Sequence, residues 1–304
     1  MSTSSSPARG QSQGENEPDV LFASEKRGGD LVPSSPQTNE NQIPQRSEVM
    51  QKVVQEAIIL AGGAVAILLQ VAEPGVGKGV DNHSNFAYRP IDRLRTTMTY
   101  IYCMVYGTET EKELIINFVH KAHAAVQGQD YSADDPKLQL WVAATLYAVG
   151  TDIYQRIFGQ MTEEESEIIY REYSILAVSL RVPPSLWPET RQSFWQYWDH
   201  KIETIQVTDH ARRVAEDLLR NKKVPFALRA VLPLVRLTTT EMLPPRLRDA
   251  YGLKTSRLRT FTYRVLLGMT RVTYPALPRS VRTYPMRYYL KDMRKRLQDT
   301  PHKG

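Results

Sequence analysis

Apolar residues recur at spacings of three and four over most of the chain after residue 46, the pattern of amphipathic helices. Almost no segment shows the strict alternation of a half-buried strand. Pro, Thr or Asp precede several of these segments, and Gly or Pro follow them, as expected at helix ends. The pattern predicts helices at about 90–106, 108–126, 136–158, 162–182, 189–205, 209–222, 225–240, 257–274 and 282–298.

The first apolar segment, residues 47–72, is less clear. Its first part fits a helical face, and Gly62-Gly63 then interrupts it. Val65 to Val71 is apolar on all sides, so both a buried helix and a buried strand stay open. Pro74 ends the segment, and the following GVGKGV is interpreted as a helix or a turn with closely approaching backbone.

These elements predict a single all-α domain over residues 47–299. Residues 1–46 are rich in Ser, Gly, Pro, Asn, Gln and charge, so they have little to bury, and we predict a disordered N-terminal tail. No repeat of fixed period is found in the 304 residues.

Charge is unevenly distributed along the chain. The net charge is +6, but residues 246–304 hold fifteen Lys and Arg against three Asp and Glu. Such a segment suits nucleic acid, an anionic membrane surface or an acidic partner, or else a solvated surface with arginines at helix ends. We favour the solvated surface and expect no nucleic acid, because apolar positions interrupt the basic residues. Peripheral membrane contact through the basic C-terminal helix, with Tyr284, Tyr288 and Tyr289, stays open.

Targeting signals and disulfides are not indicated. The first residues, MSTSSSPARG, carry no apolar signal core, and no run reaches the ~18 apolar residues of a membrane span. The single cysteine, Cys103, lies in the apolar run TYIYCMVY and is expected to be a buried, inert thiol. We therefore expect an intracellular protein.

One motif resembles a phosphate-binding loop. The run AEPGVGKG matches the end of GxxxxGK[ST], but Ala72 replaces the first glycine and Gly79 replaces the metal-binding Ser or Thr. The chain also lacks the alternation of strands and helices that surrounds such loops. We favour a glycine-rich packing segment over a nucleotide site.

Three histidines and one helix face are candidates for chemistry. His120 and His123 lie three residues apart on one helical face, while His83 is separate. The spacing alone is weak evidence for a metal, and a single helical histidine against an apolar pocket would suit haem iron. Arg93, Thr96 and Thr97 share a face of the helix after the glycine-rich segment. The structural alternative for each histidine is a hydrogen-bonded side chain without a ligand. For the Arg93 face it is a solvated first turn of the helix. Asp134-Asp135 is interpreted as a helix N-cap.

Five ordered blocks together resemble a known family. They are LLQVAEPGVGKGVDNHSNF, RPIDRLRTTMTYIYCMVYGT, VHKAHAAVQG, DDPKLQLWVAATLY and LPPRLRDAYGL. The sequence over about residues 50–275 resembles the MpaB-like and rubber-oxygenase catalytic domain. This family includes latex clearing proteins and a fungal oxygenase that cuts a prenyl side chain. Since a relative is bound to the endoplasmic reticulum, the resemblance implies a protein that is either cytoplasmic or associated with the endoplasmic reticulum membrane.

The resemblance implies a globin-like helical core holding haem b, an iron cofactor. It implies an oxidoreductase that uses dioxygen on an apolar, isoprenoid-like substrate. His123 matches the family's axial histidine, while Arg93, Thr96 and Thr97 match its distal arginine, lysine and threonine. Thr96 thus replaces a lysine that ligates iron in some members, and Glu73 stands where many relatives have His or Asn. A helical binding module without the cofactor is the alternative; a nucleotide-binding protein is a less favoured one.

Overall fold

Helices make up nearly all the regular structure of the computed structural model, which describes residues 48–83, 90–221 and 226–299. The predicted disordered tail lies outside these ranges. Within them there is no β-strand, only an isolated antiparallel bridge between Gln127 and Ser132. The all-α prediction is confirmed; the globin-like arrangement of the core and the domain limits 47–299 stay predictions.

The helices in the first half of the described chain follow one another with short connections. They are α1 (Glu48–Val54), a 3-10 helix (Ala57–Gly62), α2 (Gly63–Ala72), α3 (Pro74–His83), α4 (Pro90–Tyr106), α5 (Glu109–Ala124) and α6 (Pro136–Phe158).

The second half continues the helical pattern and ends in the basic segment. Its helices are α7 (Glu163–Tyr173), α8 (Ile175–Val178), a 3-10 turn (Pro184–Leu186), α9 (Arg191–Thr204), α10 (Asp209–Leu219), α11 (Phe226–Met242), α12 (Pro245–Ala250), α13 (Arg257–Thr273), α14 (Arg279–Arg282) and α15 (Tyr284–Asp299).

Local sequence signals fix several helix starts. Thr108 and Glu111 form a reciprocal capping box at α5, and Thr162 and Glu165 form another at α7. Asp135 caps α6, its carboxylate accepting from the Lys137 N–H at 2.8 Å. The predicted N-cap role of the Asp134-Asp135 pair is thereby assigned to its second member.

The central element is α6, which packs against the first 3-10 helix and against α1, α2, α7, α8 and α13. Trp141 and Tyr147 on this helix are almost fully buried. Tyr147 lies at the centre of an aromatic cluster that includes Phe194, with ring centroids 4.9 Å apart, and Tyr170, at 5.4 Å. Burial on nearly every side explains why its apolar pattern is broad.

The open question at Val65–Val71 is settled as a buried helix, α2. The 3-10 helix before it runs against α6, and Gly62 marks the junction. A Cβ on Gly62 would lie 2.6 Å from Val149 Cγ1 and would also overlap Ile153. The glycine therefore allows the chain to approach α6 closely before α2 begins.

The glycine-rich segment is also helical. Helix α3 packs on α2 and α10, and a Cβ on Gly77 would overlap the backbone carbonyl of Val71. Lys78 donates to both carboxylate oxygens of Asp130, at 2.7 and 2.9 Å. Its ammonium is thus paired with a carboxylate, and its backbone is not arranged as a phosphate loop, which agrees with the packing interpretation.

The C-terminal helix α15 is docked on α4. Leu290 and Met293 are buried, Asp292 accepts from Arg95 Nε at 2.9 Å, and Arg294 Nε donates to Glu111 at 2.7 Å. Part of the basic charge at this end therefore braces helices, as the solvated-surface interpretation expects.

Some predicted boundaries differ from the structure. Residues 162–182 form two helices, with a break at Ser174 and a left-handed residue, Arg181 (φ 70°), near the end. The short helices α12 and α14 follow Pro244 and Pro278 and were not predicted, because six and four residues are too few to show a helical period.

Candidate functional site

A mainly apolar cavity of about 320 Å³ lies between the first 3-10 helix, α2, α4, α6, α10 and α11. Its walls are mostly Leu, Ile, Val, Ala and Gly side chains. Val231 of α11 lines the cavity and is 47% exposed, so the wall reaches the molecular surface there. A space of this size and lining suits an apolar ligand or cofactor.

Arg93 brings a cation to this wall. It lies in the first turn of α4 and is half-buried. Desolvation lowers the pKa of its guanidinium to about 10, so the side chain is still charged at neutral pH. The lining also includes Asp217, Asn221 and Gln70, and beside them the charged Arg93 donor would orient an anionic or strongly polar group of a ligand.

The predicted face of Arg93, Thr96 and Thr97 divides in the structure. Thr97, one turn after Arg93, lines the cavity, whereas Thr96 is exposed and does not. The other lining residues of α4 lie one, four, five and eight positions after Arg93, so they all fall on the same side of that residue around the helix. Thr96 lies on the other side.

His123 lies at the end of α5 and is half-buried. Its Nδ1 is 3.4 Å from Nε2 of Gln139 in the first turn of α6. Burial lowers the pKa of His123, with smaller contributions from the charges of His120 and Arg93, so the imidazole is neutral at pH 7. Arg93 and His123 thus interact electrostatically, although His123 is not among the residues lining the cavity.

The other two histidines differ from each other. His120 has a buried Nδ1 with no hydrogen-bond partner in the described structure, and burial lowers its pKa, followed by the nearby charge of Arg181. His83 is exposed, with its Nε2 2.9 Å from the hydroxyl of Tyr131. The structural interpretation therefore suits His83, while His120 keeps an unsatisfied ring nitrogen.

The described residues meet part of what the implied haem cofactor requires. The described ranges contain no group of three or more His, Cys, Asp or Glu arranged for a metal ion. Haem brings its own four nitrogen ligands, so the protein has to supply only one or two further ligands to the iron. A neutral His123 imidazole and the cationic Arg93 are groups of the kind that haem requires, but only Arg93 lines the apolar cavity.

Several residues at the site carried no sequence signal. Gln139 meets His123 only because α5 and α6 fold back on each other, and Leu232 and Val235 reach the cavity from a distant helix. Glu73, noted for its position, accepts from Lys201 Nζ at 2.6 Å. Its carboxylate is therefore held in an ion pair at the end of α2.

The described residues contain no single helix that passes the length and hydropathy test for a membrane span. The bent pair Glu48–Val54 and Ala57–Ala72, at 62° to each other, passes that test together.

Comparison with known proteins gives a family match and two similar relatives. The model for "ER-bound oxygenase mpaB/B'/Rubber oxygenase, catalytic domain" matches residues 50–272. Uncharacterized proteins of Mycobacterium bovis (Mb2261) and Mycobacterium tuberculosis (Rv2237) are each 32% identical over 241 residues, covering 76% of this chain and 94% of theirs. No solved structure gives a significant match.

Proposed function

Because the chain belongs to the family of mpaB and rubber-oxygenase catalytic domains, we propose that it is a haem-dependent oxygenase acting on an apolar, isoprenoid-like substrate. The family is one of oxygenase catalytic domains, which supports oxygenase activity in general. The observation that carries the finer proposal is the apolar cavity with Arg93 in its wall. Haem b is the proposed cofactor, and dioxygen is the proposed co-substrate.

In this proposal His123 would hold the haem iron. Its lowered pKa keeps a lone pair available on the ring at neutral pH, which metal ligation requires. Bound haem would supply the dioxygen chemistry. Gln139 Nε2 lies 3.4 Å from Nδ1 of His123, beside the ring, but this amide N–H cannot accept the proton that a ligating histidine donates from its other nitrogen.

Arg93 and the apolar walls would act on the other reactants. The guanidinium of Arg93 would hold a haem propionate or stabilise negative charge near the reacting centre. Leu, Ile and Val side chains would bind the hydrocarbon substrate and exclude water. Thr97 would offer a hydroxyl to the same space. Thr96, on the exposed side, would supply no iron ligand in place of the family's lysine.

A second candidate function is a helical binding module that has lost the cofactor. Two observations favour it: His123 is off the cavity wall, and threonine replaces lysine at position 96. A nucleotide-binding function has no comparable support, because Lys78 is paired with Asp130 and its segment is the helix α3.

Iron analysis and oxygen uptake distinguish the two candidates. The full chain, produced with a haem supply, should contain iron and haem in equal amounts. It should consume dioxygen when given squalene, an isoprenoid alkene, and form carbonyl products. Protein free of iron that consumes no dioxygen would instead support the binding module.

A cavity-filling variant tests where that reaction takes place. A Cβ on Gly63 has no atom within 4 Å, and Gly63 lines the cavity. Gly63→Leu should therefore reduce oxygen uptake strongly, and Gly63→Ala should reduce it less. Equal rates for wild type and Gly63→Leu, at equal haem content, would place the reaction outside this cavity.

A further inference from the structure

Helix α13 carries an apolar face that points away from the protein. Leu258, Phe261, Val265, Met269 and Val272 are each at least 45% exposed. Their spacing of three and four residues places them in one stripe along the helix. A contiguous exposed apolar stripe of this kind is unusual for a surface that faces only water.

A row of arginines runs beside the stripe. Arg257, Arg264 and Arg271 recur every seven residues, so they lie along one line of the helix, next to the apolar positions. All three are exposed, and none forms an ion pair or hydrogen bond with a described residue. Their charges are therefore available to a partner.

The surrounding sequence has one sign of charge. From Tyr251 to Lys291 the chain contains nine Lys and Arg and no Asp or Glu. An apolar stripe flanked by cations is the pattern of helices that lie in the plane of a membrane surface. Cations near an anionic leaflet also add attraction that decays within the Debye length.

The helix is held firmly enough to present this face. Tyr263, on the opposite side of α13, is buried, and its hydroxyl accepts from Arg156 Nη1 at 3.4 Å. Arg156 in turn pairs with Asp152 of α6 at 2.7 Å. Contacts with α6 and α11 complete the anchoring, so the stripe faces outward from a packed helix.

We propose that the α13 face, defined as the apolar stripe with its arginine row, docks on an anionic lipid bilayer. A second copy of the chain fits less well, because pairing two such faces would bring like-charged arginine rows together. Nucleic acid would pair with the arginines but leave the apolar stripe unmatched. A bilayer satisfies both features, with headgroups for the arginines and acyl chains for the apolar stripe.

The proposal differs from membrane contact through α15. That helix buries Leu290 and Met293 on the protein and pairs Arg294 with Glu111. Among the described residues, the apolar stripe and the arginine row of the α13 face are neither buried nor ion-paired in this way. It also lies on a helix that packs against α11, whose residue Val231 lines the cavity.

Vesicle co-sedimentation of the full chain tests the proposal. Phosphatidylcholine vesicles with and without phosphatidylglycerol are compared at low and high salt. Binding is expected only with phosphatidylglycerol, and it should weaken as salt rises. The triple variant Arg257→Gln, Arg264→Gln and Arg271→Gln should bind about a hundredfold more weakly. Phe261→Gln with Met269→Gln should weaken binding at least about tenfold, through loss of apolar insertion.

A matched control distinguishes vesicle binding through the α13 face from binding through any exposed apolar side chain. Phe118 of α5 is 61% exposed and lies outside the α13 face, so Phe118→Gln should bind as wild type does. Helical circular dichroism should be unchanged in all variants, because the altered side chains are exposed. Wild type that fails to bind either vesicle, or α13 variants that bind as tightly as wild type, would overturn the proposal. So would a wild-type dimer in light scattering that Phe261→Gln dissociates.

Discussion

The cation of Arg93, in a mainly apolar wall that also includes Asp217, is the most specific chemical feature of the site. Arg93 keeps its charge although desolvation lowers its pKa to about 10, and that charge helps to lower the pKa of His123. In the proposed function this guanidinium would also contact an anionic group of the cofactor.

Replacing Arg93 should therefore weaken haem binding selectively. Arg93→Met removes the charge and keeps an apolar side chain of similar length, and the dissociation constant for hemin should rise roughly 10- to 100-fold. The matched control is Leu94→Met, a volume-conserving change at the next lining position. This variant should change the dissociation constant for hemin by less than about threefold. Equal effects of the two variants would show that Arg93 contributes only packing.

The neutral state of His123 makes stability depend on pH. The pKa of His123 is lowered in the folded protein. Below about pH 6.5 this histidine therefore binds a proton more readily in the unfolded chain than in the folded one. The free energy of unfolding should thus fall as pH drops from 7.5 to 5.5. Urea unfolding of wild type and His123→Gln measures this contribution, and the variant should show a shallower pH dependence. An identical dependence in both proteins would assign the effect to other groups.

Spacing along the sequence located these residues but could not orient them. It predicted that Arg93, Thr96 and Thr97 share a helix face, yet positions three and four later lie on opposite sides of Arg93. The rotation of α4 against the 3-10 helix and α6 decides which side faces the cavity. That rotation depends on tertiary packing, which no local pattern contains.

At the scale of elements, the junction between the 3-10 helix and α2 shapes the cavity. Adjacent glycines there have opposite surroundings: Gly62 faces the side chains of α6, whereas Gly63 faces open space in the cavity. The sequence predicted an interruption at this pair but not which glycine is required. Local pattern also could not tell helix from strand over the next residues, because α2 is buried on nearly every side.

The two glycines should respond differently to the same substitution. Gly62→Ala would overlap Val149 and Ile153, so overpacking should reduce the free energy of unfolding by about 1–3 kcal/mol. Gly63→Ala meets no atom and should change it by less than about 1 kcal/mol, in the stabilising direction. Chemical denaturation of both variants provides the comparison, and equal losses would show that the junction is not tight at Gly62.

At the scale of the molecule, a buried ion pair joins distant parts of the chain. Glu56, between α1 and the 3-10 helix, is buried, and it accepts from Arg282 Nη1 at 2.8 Å and from the Tyr274 hydroxyl at 3.0 Å. Tyr274 also accepts from the Ile58 N–H at 3.1 Å. The network therefore fastens the end of α13 and the start of the C-terminal region to the first helices.

Breaking this network should cost much more than breaking an exposed pair. Arg282→Gln leaves the buried Glu56 carboxylate without its cation and should reduce the free energy of unfolding by roughly 3 kcal/mol. The control Arg294→Gln removes a partly exposed partner of Glu111 and should cost less than about 1 kcal/mol. Denaturant midpoints compare the two, and similar losses would contradict the structural role assigned to Glu56.

The all-α class, most long helices and their caps followed from the sequence, because helical periodicity and capping are local properties. The cavity did not, since its walls come from residues as distant as Gly63 and Val235. Sequence resemblance indicated His123 and Arg93, and the structure links them through electrostatics while placing only Arg93 on the wall. The family match to residues 50–272 supplies the oxygenase class that geometry alone does not.

The central claim, that this fold uses His123 to hold haem, is tested most directly by titrating the full chain with hemin and following the Soret band. Wild type should give a saturable, shifted Soret band at one equivalent, and His123→Ala should lose or shift it. His120→Ala, three residues away on the same helix, should retain the wild-type spectrum. No saturable band in wild type, or the same band in wild type and His123→Ala, would contradict the account.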